Sequence, residues 1–146
     1  MSVGYKSVKD QIVSILNSVT SLKVVYPKDP KAVAQFPAAG VSAKSHKTVF
    51  SSVGNSGTNE REYEHSIKVY FRIDENNDPD YEDVLESVAD DVQAAFEANI
   101  TLNGACEYSI PSSGVWSFGF KETPVRIFEL IITSTVHVRR DTGTLV

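Results

Sequence analysis

Two consecutive segments between Tyr63 and Asn99 have different spacings of their apolar residues. These two spacings constrain the fold more than any other feature of the chain. From Tyr63 to Ile73 apolar and polar residues alternate, which indicates a β-strand with one buried face. From Tyr81 to Asn99 apolar residues recur every three or four positions, which predicts an amphipathic helix. A strand and a helix that each bury one face pack against each other around a common core.

The alternation predicts which side chains of this strand face the core. The buried face is predicted to carry Tyr63, His65, Ile67, Val69, Phe71 and Ile73, and the exposed face Glu62, Glu64, Lys68, Tyr70 and Arg72. His65 is therefore interpreted as a hydrogen-bonded core or edge histidine, because no other His or Cys stands at metal-ligand spacing from it.

The turn between this strand and this helix allows two interpretations. Asp74, Asn76 and Asp78 match the first three ligand positions of an EF-hand calcium loop, but Pro79 replaces the required glycine and Leu85 the bidentate glutamate. The same residues make a good helix start, since Asp78 suits the N-cap and Pro79 the first helical position. The helix start is the preferred interpretation, and no metal or other cofactor is expected.

The remaining segments complete a single domain over residues 1–146. A first helix is predicted from Tyr5 to Val19, and the further extended segments are Leu22–Tyr26, Ala38–Phe50, Cys106–Ile110, Val115–Phe120 and a last strand after Pro124 that runs to about Arg140. Pro111–Gly114 is predicted to be a hairpin turn. The order helix, strands, helix, strands predicts an α+β fold, a mainly antiparallel sheet with two helices packed on one face.

Two segments are predicted to lie outside this core. Residues 51–59 contain only Ser, Val, Gly, Asn and Thr, so they are expected to form a mobile hairpin loop. Residues 141–146 are expected to form a loose C-terminal tail.

Charge is distributed unevenly along the chain, whose net charge is −5. Residues 1–59 hold seven lysines and two acids, residues 60–107 three basic residues and fourteen acids, and residues 108–146 four basic residues and three acids. The net charges of the three parts are therefore +5, −11 and +1. Such a chain could associate head to tail, or the fold could bring both parts together within one subunit.

The second predicted helix concentrates this negative charge, since it contains no Lys or Arg. Like charges four residues apart cost about 0.2–0.5 kcal/mol per pair, so the pattern invites an explanation. The acids could form a solvated surface, an acidic lining past which DNA slides, or a contact with lysines of a neighbouring copy. The candidate acidic face is Glu82, Glu86, Asp90, Asp91 and Glu97, and the candidate basic face is Lys6, Lys9, Lys28, Lys31, Lys44 and Lys47.

Signals of catalysis are weak. His46, His65 and His137 lie far apart in the sequence, and the chain has neither a glycine-rich phosphate loop nor a nucleophile elbow. Cys106, the single cysteine, is expected to be a buried and inert thiol. No apolar run is long enough to cross a membrane, and the first ten residues lack the apolar region of a signal peptide. No catalytic site and no membrane partner are therefore expected.

With these elements in place, the chain resembles the tail terminator proteins of long-tailed bacteriophages, also called tail-completion or tail-to-head joining proteins. The resemblance covers most of the chain and rests on element order and local sequence. The segments that carry it are the first helix, Phe36-Pro-Ala-Ala-Gly-Val41, the loop 51–59, His65–Arg72, Tyr81–Asn99, Tyr108–Gly114 and Phe128–Arg140.

The resemblance implies a structural virion protein of the tail or neck, assembled in the host cytoplasm. It implies a hexameric ring that caps the tail tube, ends its polymerisation and provides the surface for joining to the head-side connector. The implied partners are further copies of the chain, the tail tube protein, the connector protein, and genomic DNA that passes without specific binding. The loop residues Val53, Gly54, Asn55, Ser56 and Gly57 become candidates for contact with the tube or the lumen.

Other functions stay open at this point. A head-closure or tube-like protein of the phage neck or tail would share the same element order and local sequence. A small cytoplasmic adaptor could use the acidic helix to bind a basic partner. A small hydrolase that pairs His65 with an acid is the enzymatic alternative, and it has the weakest support in the sequence.

Overall fold

The computed structural model describes residues 4–50, 57–73 and 81–146, which form two helices and five strands. In chain order the elements are α1 (Tyr5–Asn17), β1 (Val24–Tyr26), β2 (Ala38–Phe50), β3 (Thr58–Arg72), α2 (Tyr81–Glu97), β4 (Tyr108–Lys121) and β5 (Thr123–Arg139). The strands form one sheet in the order β1-β2-β3-β5-β4. Only β1 and β2 pair in parallel, and the other neighbours are antiparallel, so the predicted α+β class with a mainly antiparallel sheet is confirmed.

Both helices pack on the same face of this sheet. Alternate residues of β3 and β5 point towards them, and the fully buried side chains of this layer include Ile12 and Leu16 of α1, Phe96 of α2, and Ile67 and Ile132 of the sheet. The first helix contacts β1 and β2, whereas α2 contacts β4. The helices therefore lie side by side over opposite ends of the sheet.

The helices end slightly earlier than the sequence predicts. In α1 the backbone N–H and the hydroxyl of Ser18 both donate to the carbonyl of Ile15, at 3.0 and 2.5 Å, which closes the last turn. The described part of the second helix runs from Tyr81 to Glu97, and the predicted first helical residue Pro79 lies outside the described residues. The predicted N-cap Asp78 and the calcium-like turn lie outside the described residues.

The predicted hairpin turn at Pro111–Gly114 is wrong, because β4 runs continuously through it with a β-bulge between Pro111 and Ser113. Proline is tolerated there because β4 is an edge strand, whose outer N–H groups need no partner in the sheet. Gly114 is needed for a close approach, since a Cβ at this position would lie 2.9 Å from the ring of Phe128. The chain reverses instead at Glu122, which has a φ of 67°.

The prediction that Tyr70 is exposed is also wrong. Its side chain is fully buried on the sheet face opposite the helices, and its hydroxyl donates to the carboxylate of Asp29. The segment after β1 crosses this face closely, since a Cβ on Gly40 would lie 2.8 Å from the carbonyl oxygen of Lys28. Alternation along a strand identifies the two faces of a sheet, but it does not show which loop covers one of them.

The two segments predicted to lie outside the core have different outcomes. Residues 51–56 lie outside the described residues, whereas Thr58 and Asn59 belong to β3. Residues 141–146 fold back along the end of β5, where the N–H of Arg139 donates to Thr144 at 2.8 Å and the N–H of Val146 to His137 at 3.0 Å.

Candidate functional site

A basic pocket lies at the start of α1, between that helix, the loop after β1 and strand β2. Its volume is about 420 Å³, and it is lined by Tyr5, Lys6, Lys9, Pro27, Lys28, Asp29, Val41, Ser42, Ala43 and His65. Three of the six lysines of the predicted basic face therefore come together here. We define Lys6, Lys9 and Lys28 as the basic flank.

The basic flank places cations where a helix disfavours them. The N-terminal end of a helix carries a partial positive charge, so lysines in its first turns gain nothing from the helix itself. Lys6 reaches Asp10 at 2.9 Å, but this pair is highly exposed, and exposed pairs contribute roughly 0–1 kcal/mol. Within the described part of the chain, neither Lys9 nor Lys28 has a salt-bridge partner, so their charges are available to an incoming anion.

Asp29 does not neutralise the pocket, because its carboxylate is engaged elsewhere. It accepts hydrogen bonds from the hydroxyl of Tyr70 and from the ammonium of Lys121, the latter at 3.1 Å. Burial opposes ionisation, but these two donors together hold the pKa of Asp29 below its usual value. Burial and the bond to Asp29 raise the pKa of Tyr70, so its proton stays in place.

His65 forms the floor of the pocket from strand β3 and has no exposed surface. Its Nε2 lies 3.2 Å from the carbonyl oxygen of Tyr5, an acceptor only, so Nε2 carries the proton. Nδ1 has no hydrogen-bond partner in the part of the chain that the structure describes. Burial, assisted by the nearby charge of Lys9, lowers the pKa of His65 below its ordinary value of 6.5, so the ring is neutral at pH 7.

The other three lysines of the predicted basic face lie outside this pocket. Lys47 lies on β2 and its ammonium is 3.9 Å from the carboxylate of Glu62 on β3. Lys31 and Lys44 are exposed, on the loop after β1 and on β2 respectively. The structure therefore divides the predicted face into a pocket and a set of separate surface cations.

The predicted acidic face of α2 also divides into two sides. Since a helix turns about 100° per residue, Glu82, Glu86, Asp90 and Glu97 share one side and Asp91 lies on another. Asp91 accepts a hydrogen bond from the hydroxyl of Ser21, which follows α1, at 3.0 Å. We define the acidic flank as Glu82, Glu86, Asp90 and Glu97, and it faces away from α1.

Two members of the acidic flank are bonded and two are not. Glu82 accepts from the guanidinium of Arg126 on β5 at 2.6 Å, and Glu97 from the amide of Gln93 at 2.9 Å. Glu86 and Asp90 are exposed, and neither has a hydrogen-bond or salt-bridge partner among the described residues. Both charges are therefore free to meet another molecule.

The two flanks point in opposite directions along the sheet. Gln11 of α1 bonds to Asn103, which follows α2, at 3.0 Å, so this side of α1 faces the second helix. Lys9 lies about 200° around α1 from Gln11 and therefore faces away from α2. Because α1 covers the β1 and β2 end and α2 the β4 end, the basic and acidic flanks lie at opposite ends of the sheet.

Both edges of the sheet are open along much of their length. Beyond Gly40, no strand among the described residues pairs with the outer edge of β2, since β1 covers only Ala38–Gly40. The outer edge of β4 is likewise unpaired within the described ranges. This strand carries apolar side chains that are largely exposed, with Phe118 at 72% and Phe120 at 70%.

Sequence reasoning missed several of these features. It did not assign His65 to a binding pocket, although an isolated polar residue on an apolar strand face was a signal that something approaches it. It did not find Asp29 beside Tyr70, for which the sequence holds no local signal. It did not show that Trp116 packs against Phe128, at 4.9 Å between ring centres, while Phe118 and Phe120 stay exposed.

The expectation for Cys106 can be compared with the structure directly. Cys106 is buried, and burial raises its pKa to about 11, so the predicted buried thiol is confirmed. Within residues 4–50, 57–73 and 81–146, no three His, Cys, Asp or Glu side chains are close enough together to hold a metal ion. Over the same ranges, no helix has both the length and the apolar character needed to cross a membrane.

No protein-family model matches the chain, and a search of curated proteins found no match.

Proposed function

We propose that this protein is a tail terminator of a long-tailed bacteriophage. It assembles as a hexameric ring, caps the tail tube, ends the polymerisation of the tube and provides the surface to which the head-side connector joins. Genomic DNA passes through the ring without specific binding. The protein acts in the virion, in the tail or neck, after assembly in the host cytoplasm.

The observation that carries this proposal is the position of the two charged flanks at opposite ends of one sheet. A contact between unlike surfaces is heterologous, and repeated heterologous contacts produce a ring when the rotation between copies closes. A two-fold dimer needs a self-complementary surface, and neither flank complements itself. The acidic flank of one copy and the basic flank of the next do complement each other.

The open sheet edges support the same association. Exposed strand edges invite pairing with another chain, and monomeric proteins usually protect them with charges, bulges or covering loops. Here β4 is fourteen residues long and carries exposed Phe118 and Phe120, with one bulge near its start. A neighbouring copy in a ring would cover this edge.

The proposed role is structural rather than enzymatic. Three groups that could act as a nucleophile or base are bonded to other groups or held in an inactive form. The raised pKa of Cys106 keeps the thiol protonated at neutral pH, and Nε2 of His65 is bonded to the backbone of Tyr5. Nδ1 of His137 lies 2.7 Å from the carboxylate of Glu107, in a partly exposed pair.

The test begins with the mass of the full-length protein in solution. Analytical ultracentrifugation over a wide range of protein and salt concentrations should detect hexamers that dissociate as salt rises, and negative-stain images should show rings. Salt sensitivity is expected because exposed charges more than about 10 Å apart are screened at 0.1 M salt. Self-association that strengthens with salt would contradict the charge-based contact.

A second measurement addresses the terminator role specifically. The protein is added to a growing tail tube of the phage that encodes it, and tube lengths are measured by electron microscopy. A terminator should stop growth and leave a ring at one end of each tube. A protein that forms rings but leaves tube length unchanged would instead support a head-closure role in the same neck.

The unpaired charges of Glu86 and Asp90 also favour a second candidate, an adaptor whose acidic helix binds a basic partner. An adaptor of this kind would stay monomeric on its own at all salt concentrations. Ultracentrifugation therefore separates the two candidates before any partner is known.

A further inference from the structure

We propose that the basic pocket is a socket for the carboxylates of Glu86 and Asp90 of the next copy in the ring. This inference rests on the proposed function, since it names the site through which neighbouring copies meet. It assigns a receptor surface, a ligand and an orientation to the contact between copies.

The chemistry of the pocket selects an oxyanion. Lys9 and Lys28 line the pocket and have no salt-bridge partner among the described residues, and Lys6 is held only by an exposed pair. Asp29, the acid of this lining, is engaged by Tyr70 and Lys121. A carboxylate can accept several hydrogen bonds at once, so two or three lysines can share it.

His65 supplies the second observation that points to a ligand. It lines the pocket with no exposed surface, and its Nδ1 has no partner in the described structure, an unusual state for a buried polar atom. A carboxylate that enters the pocket brings a negative charge that favours protonation of Nδ1. The protonated nitrogen can then donate to the carboxylate, which satisfies both groups.

The acidic flank offers the matching side chains. Glu86 and Asp90 lie one helical turn apart on the exposed side of α2, and neither has a partner within the described residues. A volume of about 420 Å³ is enough to receive one such side chain and part of the next. Glu82 and Glu97, by contrast, already have partners within their own chain.

The geometry of the fold makes the contact intermolecular. Within one chain the pocket lies at the β2 end of the sheet, and the acidic flank faces away from α1 towards the β4 end. Residues at opposite ends of one sheet cannot meet in the same copy. In a head-to-tail ring, every copy presents its pocket to one neighbour and its acidic flank to the other.

The test uses two charge-reversal variants. Each should lose self-association when it is alone, and the two should recover it when they are mixed. The double variant Lys9→Glu with Lys28→Glu inverts the pocket, and the double variant Glu86→Lys with Asp90→Lys inverts the flank. Each variant should weaken self-association by about tenfold or more, since both place like charges in the contact. A mixture of the two should restore hexamers, because copies alternating around an even-numbered ring then meet only complementary surfaces.

The controls separate this contact from general charge effects. Lys31→Glu with Lys44→Glu makes the same change in net charge outside the pocket, and Asp91→Lys reverses one acid on the other side of α2. Both controls should assemble as the wild type does. The Lys9→Glu change in the pocket variant should also preserve the fold, because an acid near the start of α1 is favoured there over a lysine. Urea unfolding of each variant verifies this.

The possible outcomes can be told apart. If the wild type forms hexamers and the reversals leave their dissociation constant unchanged, the socket is refuted and the ring stands. If the wild type is monomeric in solution and also leaves no ring on tail tubes, both the ring and the socket are refuted. If the pocket binds inorganic phosphate but the reversals do not affect assembly, it is a small-anion site and the inference is wrong. Rings that form normally but retain DNA after reversal of the flank would show that the acids line the channel.

Discussion

Replacing His65 with glutamine tests the description of the pocket floor through the pH dependence of folding. The substitution keeps a donor that can reach the carbonyl of Tyr5, and it removes the group that titrates. The pKa of His65 is lowered in the folded protein by burial and by the charge of Lys9. The unfolded chain therefore binds a proton at this position more readily than the folded chain does, and acid favours unfolding.

The expected size follows from proton linkage. A single histidine that is neutral when folded and protonated when unfolded changes the free energy of unfolding by up to about 1.4 kcal/mol per pH unit. The loss begins as the pH falls through 6.5, the ordinary value for this side chain, and continues down to the folded-state pKa. Above pH 6.5 the contribution of His65 to stability is fully present and does not vary.

Urea unfolding followed by circular dichroism between about pH 5 and pH 8 measures this effect. The difference in stability between wild type and His65→Gln isolates the histidine, because all other titrating groups are shared. The groups around His65 that are charged or can become so are Tyr5, Lys6, Lys9, Lys28 and Asp29, and both proteins contain them. His46→Gln, which removes an exposed histidine, is the matched control.

Equal slopes for the wild type and His65→Gln below pH 6.5 would refute this reasoning. Such a result would mean that His65 takes up its proton in the folded protein as easily as in the unfolded one. The pocket would then be wetter, or its cations further away, than the structure shows.

Three further substitutions test how the sheet is covered. Gly40→Ala places a Cβ 2.8 Å from a backbone carbonyl of the loop after β1, and urea unfolding should show a loss of about 1–3 kcal/mol. Tyr70→Phe removes the donor to Asp29 and should cost about 1–3 kcal/mol at pH 7, with little loss below the pKa of that carboxyl. Arg126→Ala removes the cation 5.2 Å from the ring of Trp116, so the fluorescence of this single tryptophan should shift and stability should fall by about 1 kcal/mol.

The features of the fold that follow from short-range pattern could be predicted from the sequence. The alternation through Ile67 and Val69 identified the buried face of β3, because side chains of a strand alternate between its faces. The bounds of β2, Ala38–Phe50, also agree with the structure. These features depend on neighbours within a few residues, where the periodicity acts.

The features that depend on distant neighbours could not be predicted. Proline and glycine at Pro111 and Gly114 have the composition of a turn, but their position on an edge strand beside a large aromatic ring gives them other roles. Lys9 and Lys28 are nineteen positions apart in the sequence, yet both line the same pocket. They do so because β1 pairs with β2, and the loop after β1 then lies beside the start of α1. The sequence predicted the charges of the site but not their grouping.

If neighbouring copies associate through the β2 and β4 sides of the sheet, the two ends of the strands are left for other partners. At one end lie the end of β2, the start of β3 and the C-terminal residues, because Phe50 pairs with Asn59 and Thr58 with Arg139. At the other end lies the turn at Glu122, close to the end of β3 at Arg72. The proposed terminator role requires contact with the tube on one side and with the connector on the other. We expect those contacts at these two ends of the strands. Substitutions at either end should then alter joining without altering the mass of the ring, whereas changes to the two flanks should alter the ring itself.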